Sequence, residues 1–302
     1  MLSFKEYNQQ LIAEKQIITG NGAPYGQVII LTGGGGSGKG FAAEKFIDTK
    51  SFKTIDVDEM KKSVIELDKL GKLKRLPTNP KTGKPFRHPK NLNLRNPKDV
   101  FELHSIVQQL GLKNKILKML LSNKGHLPNI VFDITGQDEK RVKQVVDLVE
   151  QAGYANENIN LIWVLTNYSV AVKNNATRER VVPDDILLQT HEGTAKTMTD
   201  IMNGKNNKLV GKNGIDGDIY VILNNRENTI FFTDQDTKAT AKNGKQMPGN
   251  KTFTVKSFTS LHVKKKGKPI DDGQTTKATL AQWVRDNVPK SLMTQHLFDD
   301  MK

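Results

Sequence analysis

Residues 27–41 read QVIILTGGGGSGKGF. From Gln27 to Thr32 the run is almost unbrokenly apolar, as in a strand covered on both faces. Gly33, Gly38 and Lys39 then satisfy the spacing G-x-x-x-x-G-K. FAAEKFID follows, with Phe41, Ala42, Lys45 and Phe46 at helical spacing. Glycines between a buried strand and a helix let backbone N–H groups converge on phosphate oxygens. On this reading Gly33, Gly34, Gly35, Gly36, Ser37, Gly38, Lys39, Gly40 and Phe41 cradle a nucleoside triphosphate, and Lys39 reaches its β- and γ-phosphates. Ser or Thr commonly follows the lysine and binds magnesium through its hydroxyl. Here that residue is Gly40.

Outward from the loop, strand and helix patterns alternate. SFKTIDVD (51–58), PNIVFDITG (128–136), NINLIWVLT (158–166) and DGDIYVILNN (216–225) read as strands. EMKKSVIELDKL, the stretch from Asn96-Pro97 to about Leu121, DEKRVKQVVDLVEQAG and Asp184 to Asn203 read as helices. The N-terminal residues 1–25 read as a short amphipathic helix and a turn. Such alternation predicts an α/β fold, a parallel sheet flanked by helices. After Asn225 the pattern becomes β-rich and closes with TTKATLAQWVRDNV, a helix. The expected division is 1–225 for the main domain and 226–302 for a β-rich C-terminal extension.

Three further stretches carry chemistry. Asp58, in TIDVDEMKK, lies at the carboxyl edge where open α/β sheets bind ligands, placed to take a proton from an attacking hydroxyl. It equally suits the N-cap of the helix that follows. Lys61, one turn later, is a candidate for an acceptor phosphate. Asp133, in VFDITG, ends an apolar strand where an acid orders water around magnesium, or caps the next helix. Thr135 would line the same pocket. In NNATRERVVP, Arg178 and Arg180 lie in a segment, about 168–185, suited to close over a triphosphate and stabilise charge in transfer.

Taken together, GGGGSGKG, IDVDEMKK, VFDITG and NNATRERVVP resemble the P-loop kinases grouped with zeta toxins and polynucleotide 5′-kinases, over about residues 26–225. The resemblance implies a kinase core that uses ATP and Mg2+. It implies Asp58 as catalytic base, Lys61 binding the acceptor phosphate where the family more often has Arg, and Arg178 and Arg180 as the lid motif R-x-R-x-V-P. Gly40 has a counterpart in the GxGKG loops of adenylate kinases and related small kinases, in which carboxylates elsewhere hold magnesium largely through water. Here those would be Asp58 and Asp133. The opening MLSFKEY is similar to N-termini of tailed-phage proteins, a likeness of source and not of chemistry.

The chain of 302 residues carries a formal net charge of +14 and no cysteine, which excludes disulfides and thiolate metal sites. It has neither an apolar run near the roughly 20 residues of a membrane span nor a signal-peptide pattern, so a cytoplasmic setting is expected, a host's if the source is a phage. Ten cations lie from Lys69 to Lys98 without one acid between them. This Pro/Asn-rich insertion suits a phosphate backbone, with Lys84 and Arg87 on phosphates and Phe86 and His88 stacked on bases. Lys264, Lys265, Lys266 and Lys268 either extend that surface or form a charged turn. The leading expectation is an ATP-dependent kinase acting on a nucleic-acid hydroxyl, a 5′ end or a hydroxymethylated base. The alternatives are a small-molecule kinase of zeta-toxin type (nucleotide sugar, nucleoside or nucleotide acceptor) and a catalytically silent nucleic-acid-binding or virion-associated protein. Oligomeric state is not legible.

Overall fold

The computed structural model describes residues 16–120, 122, 126–178, 181–204, 209–231, 255–291 and 294–295. The helix expected within residues 1–15 lies outside them. At the centre is β1 (Val28–Thr32), buried at all five positions. Its side chains alternate between two cores: Val28 and Ile30 enter one, Ile29 and Leu31 the other. β2 (Phe52–Asp56) pairs with β3 (Asn129–Asp133), β3 with β1, β1 with β4 (Ile159–Leu165), and β4 with β5 (Ile219–Leu223), all parallel. Two strands complete the sheet. β6 (Thr229–Phe231) and β7 (Val255–Lys264) give the order β2-β3-β1-β4-β5-β7-β6, with β7 antiparallel to both neighbours. The five parallel strands therefore end at one edge, and the loops that leave them meet there.

Helices cover both faces unequally. α1 (Lys39–Lys45) packs Ala42, together with Phe46, into one core. The opposite core takes side chains from α2 (Val57–Lys69), α3 (Pro97–Gln109), α4 (Leu112–Leu120) and α5 (Glu139–Gln151). Between α5 and the last helix come α6 (Tyr168–Ala176) and α7 (Asp184–Met202), of which α7 contributes Ala195, Met198, Ile201 and Met202 to that core. α8 (Gln274–Asn287) adds Leu280, Trp283 and Val284.

Local chemistry explains the helix boundaries. Asn96 caps α3 by accepting from Lys98 N–H at 3.0 Å, and Pro97 fills the first turn. The single helix expected to Leu121 is two, because Gly111 adopts φ +62° between α3 and α4. Asp138 caps α5, whose Val142, Val145, Val146 and Val149 are all buried, each contributing about 1.5–3 kcal/mol.

Two expectations about the C-terminal part change. The sheet is continuous across residue 226, because β7 pairs directly with β5. Lys264 is no surface cation. It is 1% exposed, and its ammonium donates to the Asp216 carboxylate at 2.9 Å and to the carbonyls of Asp216 and Gly217 at 3.0 and 3.2 Å. Lys266 bonds Asn158 Oδ1 at 2.8 Å. A chain of this charge tolerates a buried ammonium only because acceptors replace its water. Removing the cation strands the carboxylate, so Lys264→Ala should cost about 3–5 kcal/mol, read as a fall in the urea unfolding midpoint.

Candidate functional site

The loop after β1 is held by its carbonyls, partly from within and partly from other elements. Gly33 C=O accepts from Lys39 Nζ at 2.9 Å and Gly34 C=O from Ser37 N–H at 3.2 Å. Gly35 C=O accepts from His191 Nε2 at 2.6 Å, and Gly36 C=O from Asn174 Nδ2 at 3.1 Å. Ser37 C=O takes two donors at 2.8 Å, Thr166 Oγ1 and Asn224 Nδ2. Gly35 N–H donates to Thr190 Oγ1 at 3.0 Å. The N–H groups of Gly36, Gly38, Lys39 and Gly40 meet no backbone acceptor among the described residues. With all the carbonyls held outward, these N–H groups and the start of α1 form a concavity of positive partial charge. Gly36 (φ +70°) and Gly38 (φ +80°) cannot be replaced freely. A Cβ on Gly36 would lie 2.5 Å from Ala171 C=O, and one on Gly38 would run into Asn224 Nδ2.

His191 sits beneath this loop, 7% exposed, with its ring edge-on to Tyr168. Burial pushes its imidazole below the ordinary histidine value; the bond to Gly35 opposes this and the Lys39 charge adds to it. The ring is therefore neutral near pH 7, with the proton on Nε2, since a carbonyl accepts it.

The loop forms one end of a cleft of about 1080 Å³. Gly35, Gly36, Ser37, Gly38, Lys39, Gly40 and Phe41 line it, whereas Gly33 and Gly34 do not. Asp133, Thr135, Lys61 and Arg178 also line it. Lys39 Nζ is 3.6 Å from Asp133 Oδ1. Lys61 is 7% exposed. The hydroxyls of Ser37 and Thr135 are buried without a hydrogen-bond partner. Asp58 lies in the first turn of α2, and its side chain is outside the described residues, as is Arg180.

Sequence reading missed one acid of the site. β2 stops at Asp56, which is the register partner of Asp133, and α2 begins at the next residue. Asp56 lines the cleft. The two strand ends thus bring two carboxylates beside the loop. No cluster of three or more metal-ligating side chains occurs among the described residues. Two carboxylates beside phosphate oxygens suit magnesium, which keeps several waters, better than an ion that needs an all-protein cage. Asp56 escaped notice because the strand was read through to Asp58. Thr166, Asn174, Thr190, His191 and Asn224 had no signal, since each acts on the loop from 100 or more residues away in the chain.

The far half of the cleft has a mixed wall. Met60, Leu94, Leu103, Val107, Leu112 and Val145 give it apolar surface, and Lys62, His104, Gln108, Arg141 and Gln144 give it polar groups. Leu94 is its one lining residue from the basic insertion. Phe86 is no stacking platform; it is 6% exposed and packed in the core with Met60 and Val64. His88 Nδ1 bonds Asp68 at 2.8 Å. Arg87 forms ion pairs with Asp99 and Glu102, both at 2.6 Å. Lys84 is exposed in a turn closed by Asn79 N–H to Lys84 C=O. Neither Arg87 nor Lys84 lines the cleft.

No protein-family model and no curated protein matches the chain. Solved structures similar to it include the AvrRxo1-ORF1:ORF2 complex (11% identity, TM-score 0.44, 93% of this chain and 77% of that one). The same complex with ATP is similar at 11% identity and TM-score 0.42, over 92% and 77%. The PezAT chromosomal toxin–antitoxin system of Streptococcus pneumoniae is similar at 14% identity and TM-score 0.41, over 74% and 78%. No helix among the described residues is long and apolar enough to cross a membrane.

Two measurements check this geometry. Gly36→Ala meets both a left-handed backbone and Ala171; since about 1.4 kcal/mol is tenfold, ATP binding by calorimetry should weaken at least about tenfold. The insertion should also be acid-labile. Burial alone would raise the Asp68 carboxyl, but the Lys90 N–H and His88 bonds hold it below the ordinary carboxylate value. The Arg87 and Asn93 bonds lower Asp99 likewise. Lowered acids contribute stability above their unfolded value, lost as pH falls through the folded one, so the urea midpoint should drop below about pH 4. Asp99→Asn should flatten that drop.

Proposed function

We propose that the chain is an ATP-dependent kinase that transfers the γ-phosphate to a hydroxyl of a small acceptor with an apolar or planar body and an anionic group, such as a nucleotide sugar, nucleoside or nucleotide. The observation that carries this is one cleft with two unlike halves. A glycine loop with Lys39, Asp56 and Asp133 forms the first, and an apolar wall with Lys61 and Arg141 the second. The first half suits a triphosphate and the second a ligand that is neither bare phosphate nor a long polyanion.

In this reading Asp58 takes the proton of the acceptor hydroxyl, whose oxygen bonds to the γ-phosphorus as the bond to the β,γ-bridging oxygen breaks and ADP leaves. Lys39 and Arg178, with Arg180, stabilise the charge that builds on the phosphoryl oxygens. Lys61 and Arg141 hold the acceptor's anion. Asp133 and Asp56, with Asp58 nearby in the chain, would hold magnesium, which would neutralise part of the phosphate charge.

A nucleic-acid acceptor is the second reading. What favours it is the insertion's unpaired surface charge. Lys72, Lys74, Arg75, Lys81 and Lys84 are exposed, and none has an acidic partner among the described residues. Against it, only Leu94 of that segment reaches the cleft.

γ-labelled ATP offered with DNA, RNA, nucleosides, nucleotides and nucleotide sugars decides between them. Label should enter a small molecule, and Asp58→Asn should abolish transfer while ATP affinity stays within about threefold. Label entering polynucleotide alone, with affinity falling steeply as salt rises, would establish the second reading instead. No ATP binding and no label would leave a silent protein.

A further inference from the structure

The segment that bears Arg178 is closed by one side chain. Asn175 is 2% exposed, and its carboxamide meets both backbone polar groups of Val182. Its Nδ2 donates to Val182 C=O at 2.7 Å, and its Oδ1 accepts from Val182 N–H at 2.9 Å. Arg178 lies between these two residues, and its N–H donates to Asn175 C=O at 3.2 Å. The neighbouring Asn174 donates to Gly36 C=O at 3.1 Å, and the Ala171 carbonyl lies against Gly36. Past Val182, α7 returns to the same loop, where Thr190 and His191 hold the N–H and C=O of Gly35. The Arg178 segment is thus pinched at its base and tied on both sides to two consecutive residues of the phosphate loop.

We infer that Asn175 is a positioning residue for phosphoryl transfer: its clasp on Val182 fixes Arg178 over the glycine loop before any nucleotide binds. This rests on the kinase reading and changes one element of it, since the arginine segment becomes a set part of the donor site and not a flap that closes. The argument is geometric. A carboxamide that bonds both the N–H and the C=O of one residue restrains the two peptide groups that flank its Cα at once. Joining Asn175 to Val182 closes a short loop, and closing a loop reduces the freedom of whatever it carries, here Arg178. Asn174, one residue earlier, adds a single bond to the phosphate loop at Gly36 C=O.

The test is a double-mutant cycle with a separate structural readout. Asn175→Ala should lower kcat by roughly 10–100-fold, as loss of a supporting contact does, and shift ATP affinity less than about threefold. In an Arg178→Ala background the same substitution should lower kcat no further, while the fall in Tm is equal in both backgrounds. Losses that multiply would overturn the proposal, because Asn175 would then act independently of Arg178. Should Asn175→Ala not fold, Asn175→Asp serves. It keeps the bond from Val182 N–H, sets a carboxylate oxygen against the Val182 carbonyl, and should show the same non-additive loss. Tryptic cleavage after Arg178, followed by mass spectrometry without nucleotide, needs no turnover. It should quicken several-fold in Asn175→Ala, and an unchanged rate overturns the clasp. A wild-type chain that binds no ATP would sink the kinase reading, and the trypsin arm would still judge the clasp.

Discussion

Everything at the site depends on where the carbonyls of residues 33–38 go. A tight glycine loop presents N–H groups to an anion only if its carbonyls are turned away and satisfied. Here each carbonyl has a donor, supplied by Lys39, Ser37, His191, Asn174, Thr166 with Asn224, and Ala42 N–H. The donors to Gly33, Gly34 and Gly38 come from the loop itself and α1, and those to Gly35, Gly36 and Ser37 from the ends of β4 and β5 and from α6 and α7. The parallel sheet is therefore more than a platform. By ending its strands together it delivers the side chains that turn the loop inside out.

The basic insertion follows the opposite logic. The acids that flank it turn inward: Asp68 takes His88 and Lys90 N–H, Asp99 takes Arg87 and Asn93 N–H, and Glu102 takes Arg87 again. Phe86 and Leu92 are buried beneath it. What remains outside is mostly lysine. The same construction fixes Leu94 at the cleft, so the segment contributes apolar surface to the site and charge to the exterior.

Legibility in the sequence followed distance along the chain. Strands, the α3 and α5 caps and the glycine loop are local patterns, and each lies where period and capping chemistry place it. The stop of β2 at Asp56 was misjudged because TIDVD alternates smoothly through the boundary; the start of α2 ends the strand, not a turn residue. Phe86 and Lys264 were read as surface groups and Arg87 as a cation free for phosphate, because composition counts charge and aromatic content but not partners. Asp99, Met60 and Asp216 decide their fates, and no local period announces such pairings. The tandem Asn174-Asn175 sat inside a motif read for its arginines, yet its amides, not the motif's charges, make the described contacts to the loop and to Val182.

The antiparallel insertion of β7 between β5 and β6 bears on biosynthesis. β5 carries Asn224 and Asn225 at its end: Asn224 holds Ser37, and Asn225 accepts from Asn167 N–H and donates to Asn287. Until residues 255–264 arrive, β5 is an edge with open backbone groups, a template for the wrong strand. On the ribosome the phosphate loop is made well before the strand that seals its supporting edge and the α8 residue that steadies Asn225. Nucleotide binding should thus mature only after β7 has emerged, and a nascent chain without β7 has reason to need a chaperone.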